Sequence, residues 1–196
     1  IIKHLYSKTH KRFLKRLIVD EKGHYTEDPT VDASLSFVWD MGILPANDPR
    51  IVNTMHAIEA HLSVKTKTGG IARYTGDTYH KNWEKEYPPA EVPGNPWIIT
   101  TLWMANWHIA MAQKKSELKQ AQEIINWAVK QANSSGILPE QMDPWTGAPL
   151  SVGPLTWSHA TYVDTVLRYA RRYDEFENGG NIPTLCIPDS LRHIRQ

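Results

Sequence analysis

The stretch WIITTLWMANWHIAMAQ, Trp97 to Gln113, limits the architecture more than any other, because its apolar residues fall nearly all round a helical wheel. A helix with no polar face has to be covered on more than one side. After a very short turn comes ELKQAQEIINWAVKQAN, in which Leu118, Ala121, Ile125, Ala128 and Ala132 form a single stripe and the remaining positions are polar. A helix wet on one face following a helix dry on all faces is the pattern of two concentric helical layers. The chain offers roughly six helices and one small β-hairpin, and a closed double layer needs more. An all-α half-ring is therefore expected, its inner helices, 97–113 among them, presenting apolar surface that other helices would cover. The opening IIKHLYS has no methionine and reads as a helix already under way, so a preceding segment is expected as well.

The other elements follow from local signals. Residues 1–15 read as a helix with a solvated basic face, six Lys or Arg falling in the first sixteen positions with no acid among them. RLIVDEKGHYTED reads as a hairpin turning at Gly23. Asp32 is placed to cap a helix running through Leu35, Val38 and Trp39 to a stop at Gly42. Asp48 followed by Pro49 opens another, with Ile51, Met55, Ile58 and Leu62 on one face. Asn95 with Pro96 repeats that start for the apolar helix, and Ser116 is expected to cap the one after it. A last helix over about 157–173 aligns Ala160, Val163, Leu167 and Ala170, and a Gly/Pro-rich tail follows.

Composition removes several functions. Twenty-two basic against 21 acidic residues leave a net charge of +1, which provides no field for nucleic acid. No stretch is long and apolar enough to suggest a membrane span. The nine histidines show no metal-ligand spacing: His56 and His61 lie on different helix faces, and neither HExxH nor CxxC occurs. No metal or cofactor is expected. Cys186 has no internal disulfide partner, and no signal peptide opens the sequence, which together favour a cytoplasmic location.

Three loops combine polar groups with aromatics. GGIARYTGDTYH offers backbone freedom at two glycines, a guanidinium at Arg73, a carboxylate at Asp77 and a hydroxyl at Tyr79. That set suits neutral hydroxyl-rich ligands, and also suits a plain exposed turn with a local ion pair. VPGNPW delivers Trp97, either a stacking platform for a sugar or core. GILPEQMDPWTGAPLSVGPLTWSHA holds Glu140 behind Pro139, beside Gln141 and two tryptophans, with no Lys or Arg in the run. A carboxylate without a cation stays available to accept a proton, and Gln141 can orient it.

In these loops the chain resembles the glucoamylase-type glycoside hydrolases, a family that includes glucodextranases and some microbial trehalases. GGIARYTGDTY, GNPWIITTLW and LPEQMDPWTGAPLSVGPLTWSHA carry the likeness, with weaker agreement through DPTVDASLSFVWDMGILPANDPR. The resemblance implies an (α/α)6 barrel of which residues 1–196 are the C-terminal half of the catalytic domain. It implies an inverting exo-acting α-glucosidase with Glu140 as general base, Arg73 and Asp77 gripping glucose hydroxyls, and Tyr79, Trp97 and Trp157 as aromatic lining. The substrate would be an α-glucan, a malto-oligosaccharide or a disaccharide. Nothing in the sequence matches the segment that carries the family's general acid, so the N-terminal half or another copy is the expected partner. A trehalase, a glucodextranase or a non-catalytic sugar-binding fragment are the alternatives.

Overall fold

A computed structural model describes residues 1–179; the tail with Cys186 lies outside the described residues. Four helices form the body: α3 (Pro49–Leu62), α4 (Ile98–Met111), α5 (Leu118–Gln131) and α6 (Thr156–Asn178). Two one-turn helices, α1 (Ile2–Leu5) and α2 (Phe37–Asp40), precede them. Three small antiparallel sheets complete the chain: β1 (Tyr6–Ser7) with β2 (Arg12–Phe13), β3 (Leu17–Val19) with β4 (Tyr25–Glu27), and a four-stranded sheet in the order β5 (Ile71–Ala72), β6 (Pro96–Trp97), β7 (Gln141–Met142), β8 (Pro149–Leu150).

The layering is the one the apolar pattern requires. Eleven of the fourteen residues of α4 are buried, whereas α5 buries only Leu118, Ala121 and Ala128. Helix α4 packs on α5 and α6, so it forms the inner layer. Helix α3 lies outside it with Ile51, Met55, Ile58 and Leu62 inward, its start fixed by the Asp48 carboxylate accepting from Arg50 N–H at 2.9 Å. Asp32 caps a 3-10 turn (Ala33–Ser36) leading into α2, and Gly42, at φ +74°, ends that segment.

Four sequence expectations change. The first fifteen residues are not one helix: after α1 the chain turns back as the β1–β2 ribbon, which carries Phe13 and the following Leu14 into the core. Its cations divide: Lys3, Lys8 and Lys11 are solvated, whereas Arg12 is buried and donates to the Phe13 and Pro29 carbonyls, Lys15 pairs with Asp32 and the exposed Arg16 with Asp28. Asn95 does not cap α4. Its amide donates instead to the Tyr79 and His80 carbonyls and to Gln141 Oε1, while Pro96 and Trp97 pair as a strand. Ser116 falls inside a 3-10 turn (Lys115–Glu117) and makes no cap bond.

The fourth change concerns which helix is left bare. Helix α4 shows no exposed apolar face; α6 does. Its buried positions are Ser158, Thr161 and Thr165, while Ala160, Val163, Leu167 and Ala170, the aligned apolar set, face outward with Trp157. The two fully buried hydroxyl residues each find an acceptor: Ser158 donates to the Pro139 carbonyl and Thr165 to the Thr161 carbonyl, both at 2.8 Å.

Candidate active site

The four-stranded sheet, though each strand has two residues, gathers the three loops. Ile71 pairs with Trp97, Trp97 with Gln141, and Gln141 with Leu150. Arg73 leaves β5, Trp97 lies in β6 and Glu140 enters β7, so the three stand side by side at the N-terminus of α4. Glu140 is held through its backbone: its N–H donates to the Val152 carbonyl at 2.9 Å, and its carbonyl accepts the first helical N–H of α4, from Ile98, at 3.2 Å. That second bond also satisfies one of the donors that a helix N-terminus leaves open.

Above this sheet lies a cavity of 510 Å³, lined by Glu140, Arg73, Trp97 and Trp157 together with Asp32, Tyr74 and Trp103. Two sequence-predicted site residues stand behind it. Asp77, expected to grip a ligand, has a side chain only 1% exposed and gives both oxygens to Arg73, at 2.9 Å to Nε and 2.8 Å to Nη2. One of those oxygens also accepts the Tyr79 N–H. Asp77 is therefore the anchor of Arg73. Tyr79 backs Trp97, ring centroids 6.0 Å apart, instead of lining the cavity.

Arg73 is fixed on several sides. Burial works against its charge, but the hydrogen bonds and the charge of Asp77 outweigh it and raise its pKa. Its guanidinium carbon also lies 4.9 Å from the Tyr74 ring centre and 4.7 Å from that of Trp97. Trp97 is only 4% exposed, and among the described residues its indole N–H has no partner. The accessible indole is Trp157, whose ring centre is 5.9 Å from that of Trp103.

Two carboxylates reach the cavity and they differ. Asp32 accepts from the N–H and hydroxyl of Ser34 and pairs with Lys15 Nζ at 3.1 Å. Among the described residues Glu140 has no cation partner; its side chain receives only a long hydrogen bond, 3.4 Å, from Gln141 Nε2. Gln141 is fully buried and locked from the other side by Asn95 Nδ2, 2.9 Å from its Oε1. Asn95, Asp32 and Trp103 were not singled out as site residues from the sequence. For Asn95 and Asp32 the signal was absorbed by helix capping, and for Trp103 by the apolar run around it. Among the described residues no three His, Cys, Asp or Glu side chains are placed to hold a metal, and no helix is long and apolar enough to cross a membrane.

The chain is 30% identical over 164 residues to an uncharacterized glycosyl hydrolase of Methanocaldococcus jannaschii, covering 76% of this chain and 24% of that protein. It is 30% identical over 148 residues to a glucoamylase of Clostridium sp., covering 74% of this chain and 20% of that one. It thus spans about a quarter or less of the length of these curated relatives. A crystal structure of a bacterial glucoamylase complexed with acarbose superposes with a TM-score of 0.64 at 24% identity, over 84% of this chain and 27% of that one. The fold is that of part of an (α/α)6 barrel. With the model of glycosyl hydrolases family 15 matching residues 2–118 and 109–167, the chain belongs to that family of hydrolases.

Proposed function

We propose that the chain supplies the general-base side of an inverting, exo-acting α-glucosidase of the glucoamylase kind, as the C-terminal half of its catalytic barrel. The observation that carries this reading is the contrast between the two cavity carboxylates: Asp32 accepts from Ser34 and pairs with Lys15, while Glu140 has no cation partner among the described residues and receives a hydrogen bond from Gln141. In this reading Glu140 takes a proton from a water molecule as the water oxygen attacks the anomeric carbon. A carboxylic acid about 6.5–9.5 Å away protonates the departing glycosidic oxygen. Asp32, tied to Lys15, is unsuited to donate that proton, so the acid comes from outside residues 1–179. Arg73, held rigid by Asp77, donates to glucose hydroxyls, and Trp157 offers the sugar an apolar face. The remaining helices of the barrel would cover the bare face of α6, where Val163 is 55% exposed and Leu167 37%.

The test uses the full-length protein with maltose, isomaltose and trehalose, a panel that also decides the linkage. Proton NMR before mutarotation should show β-glucose as the first product from an α-linked substrate. Glu140→Gln keeps the shape of the side chain but cannot take a proton, so turnover should fall by about 10²–10⁴ while substrate binding changes little. Initial α-glucose, or near-normal turnover in the variant, would overturn the assignment.

A further inference from the structure

A second cleft, of 390 Å³, lies on the opposite flank of α4 from the catalytic cavity, in the groove between α3 and α5. The two are separate: Trp103 and Thr100 face the first, Thr101, Met104 and His108 the second. Its rim carries Glu59 from α3 and, from α5, Glu123 and Gln120, whose Nε2 donates to Glu59 Oε1 at 3.3 Å. Its floor holds His108, whose side chain is 11% exposed and whose Nε2 is buried without a hydrogen-bond partner among the described residues. That nitrogen is 3.9 Å from Glu59 Oε1, too far for a hydrogen bond.

The donor and acceptor inventory of this cleft is one-sided. Most of its side-chain donors are already engaged: Ser63 Oγ donates to the Glu59 carbonyl, Thr101 Oγ1 to the Trp97 carbonyl, Trp127 Nε1 to the Thr68 carbonyl, and one N–H of Gln120 Nε2 to Glu59. Acceptors remain at Glu59, Glu123 and Gln120 Oε1. Burial, reinforced by the neighbouring His56, pushes the pKa of His108 down to about 4. The imidazole is therefore neutral near pH 7 and brings one N–H and one lone pair, not a charge. Among the described residues no Lys or Arg lines the cleft; Lys119, 3.8 Å from Glu123, sits outside it with its side chain 79% exposed. A sugar asks for donors and acceptors in comparable number, whereas here two carboxylates face one spare N–H of Gln120 and the single N–H of the imidazole. Its apolar walls, Ile124 and the Trp127 ring, suit an aliphatic chain and the face of a cation.

We propose that this cleft binds a small organic cation, a primary ammonium or guanidinium on a short aliphatic chain, with its head between Glu59 and Glu123 and its chain along Ile124 and Trp127. The site is independent of the catalytic reading. Isothermal titration calorimetry on the full-length protein tests it, with cadaverine and agmatine as probes and 1,5-pentanediol and glucose as neutral comparators. The expected result is one cation bound per chain in wild type and in Glu140→Gln, no binding of either comparator, and affinity at least tenfold weaker in the Glu59→Gln/Glu123→Gln variant. Glu123→Gln alone, altering a side chain 66% exposed, should weaken binding in the same direction while leaving the fold unchanged by circular dichroism. Equal binding of pentanediol, wild-type affinity in both glutamine variants, loss of binding in Glu140→Gln, or no binding of either cation would each overturn the proposal.

Discussion

Replacing Gly70 by alanine should be among the most damaging single-methyl changes in this chain, and the structure says why. Gly70 lies at φ +86°, and a Cβ there would stand 2.6 Å from Trp127 Cζ2, 2.8 Å from Pro96 Cβ and 3.0 Å from Trp127 Cη2. Neither neighbour can give way cheaply. The indole is pinned by its N–H bond to the Thr68 carbonyl, 2.6 Å, and Pro96 is part of β6. Left-handed backbone costs a non-glycine residue about 1–2 kcal/mol, and overpacking adds about 1–3, so the expected loss is about 2–5 kcal/mol. For a chain of this size that lowers Tm by about 5–15 °C. Gly136→Ala is the internal control: Gly136 lies at φ +77° with nothing within 4 Å of its Cβ position, so only the backbone cost applies. Thermal and urea unfolding followed by circular dichroism measure both. If the two variants lose the same stability, the reasoning from the packing of Trp127 on the glycine pair is wrong.

Asp77→Asn should cost about 1–3 kcal/mol in urea unfolding, below the figure for a fully buried pair because Arg73 is 35% exposed, and should lower kcat/KM through a loosened Arg73. Unchanged stability would mean the pair contributes nothing. For His108 the folded-state pKa of about 4 lies below the ordinary 6.5, so the unfolded chain binds the extra proton; its contribution is intact above pH 6.5 and lost as pH falls through 4. The loss amounts to about 3 kcal/mol, and His108→Gln should flatten that slope in denaturation curves taken between pH 7 and 4. Asp28 and Asp48, each lowered to about 2, act in a separate window that opens only below pH 3.8. Val163→Arg should change the stability of residues 1–196 alone by no more than about 0.5 kcal/mol but destabilise the full-length protein by several kcal/mol if barrel helices cover α6. Equal effects in both would show that this face stays in water.

The sequence by itself determined the elements whose causes are local. Asp48 and Pro49 start α3 because a carboxylate and a fixed φ suffice for that, and Gly42 stops α2 because a left-handed φ is needed there. The unbroken apolar surface of α4 dictated its place in an inner layer whatever the neighbours. The motif loops were legible as candidate site segments because glycine, proline and aromatic residues occur there in combination. What only the tertiary structure decided depends on partners far away in the chain. The strands β5 to β8 are two residues each, too short to carry a period, and exist only because Ile71, Trp97 and Gln141 meet. Asn95 carries the signature of a helix cap, yet the buried Gln141 amide 46 residues on is the better partner for its side chain. The roles of Arg73 and Asp77 divided for the same reason: which of two paired charges faces a cavity is set by what packs behind them. Helix α6 shows the limit most clearly. Periodicity located its apolar stripe correctly but could not say which way the stripe points, because a threonine that satisfies its own hydroxyl within the helix can be buried as readily as a valine.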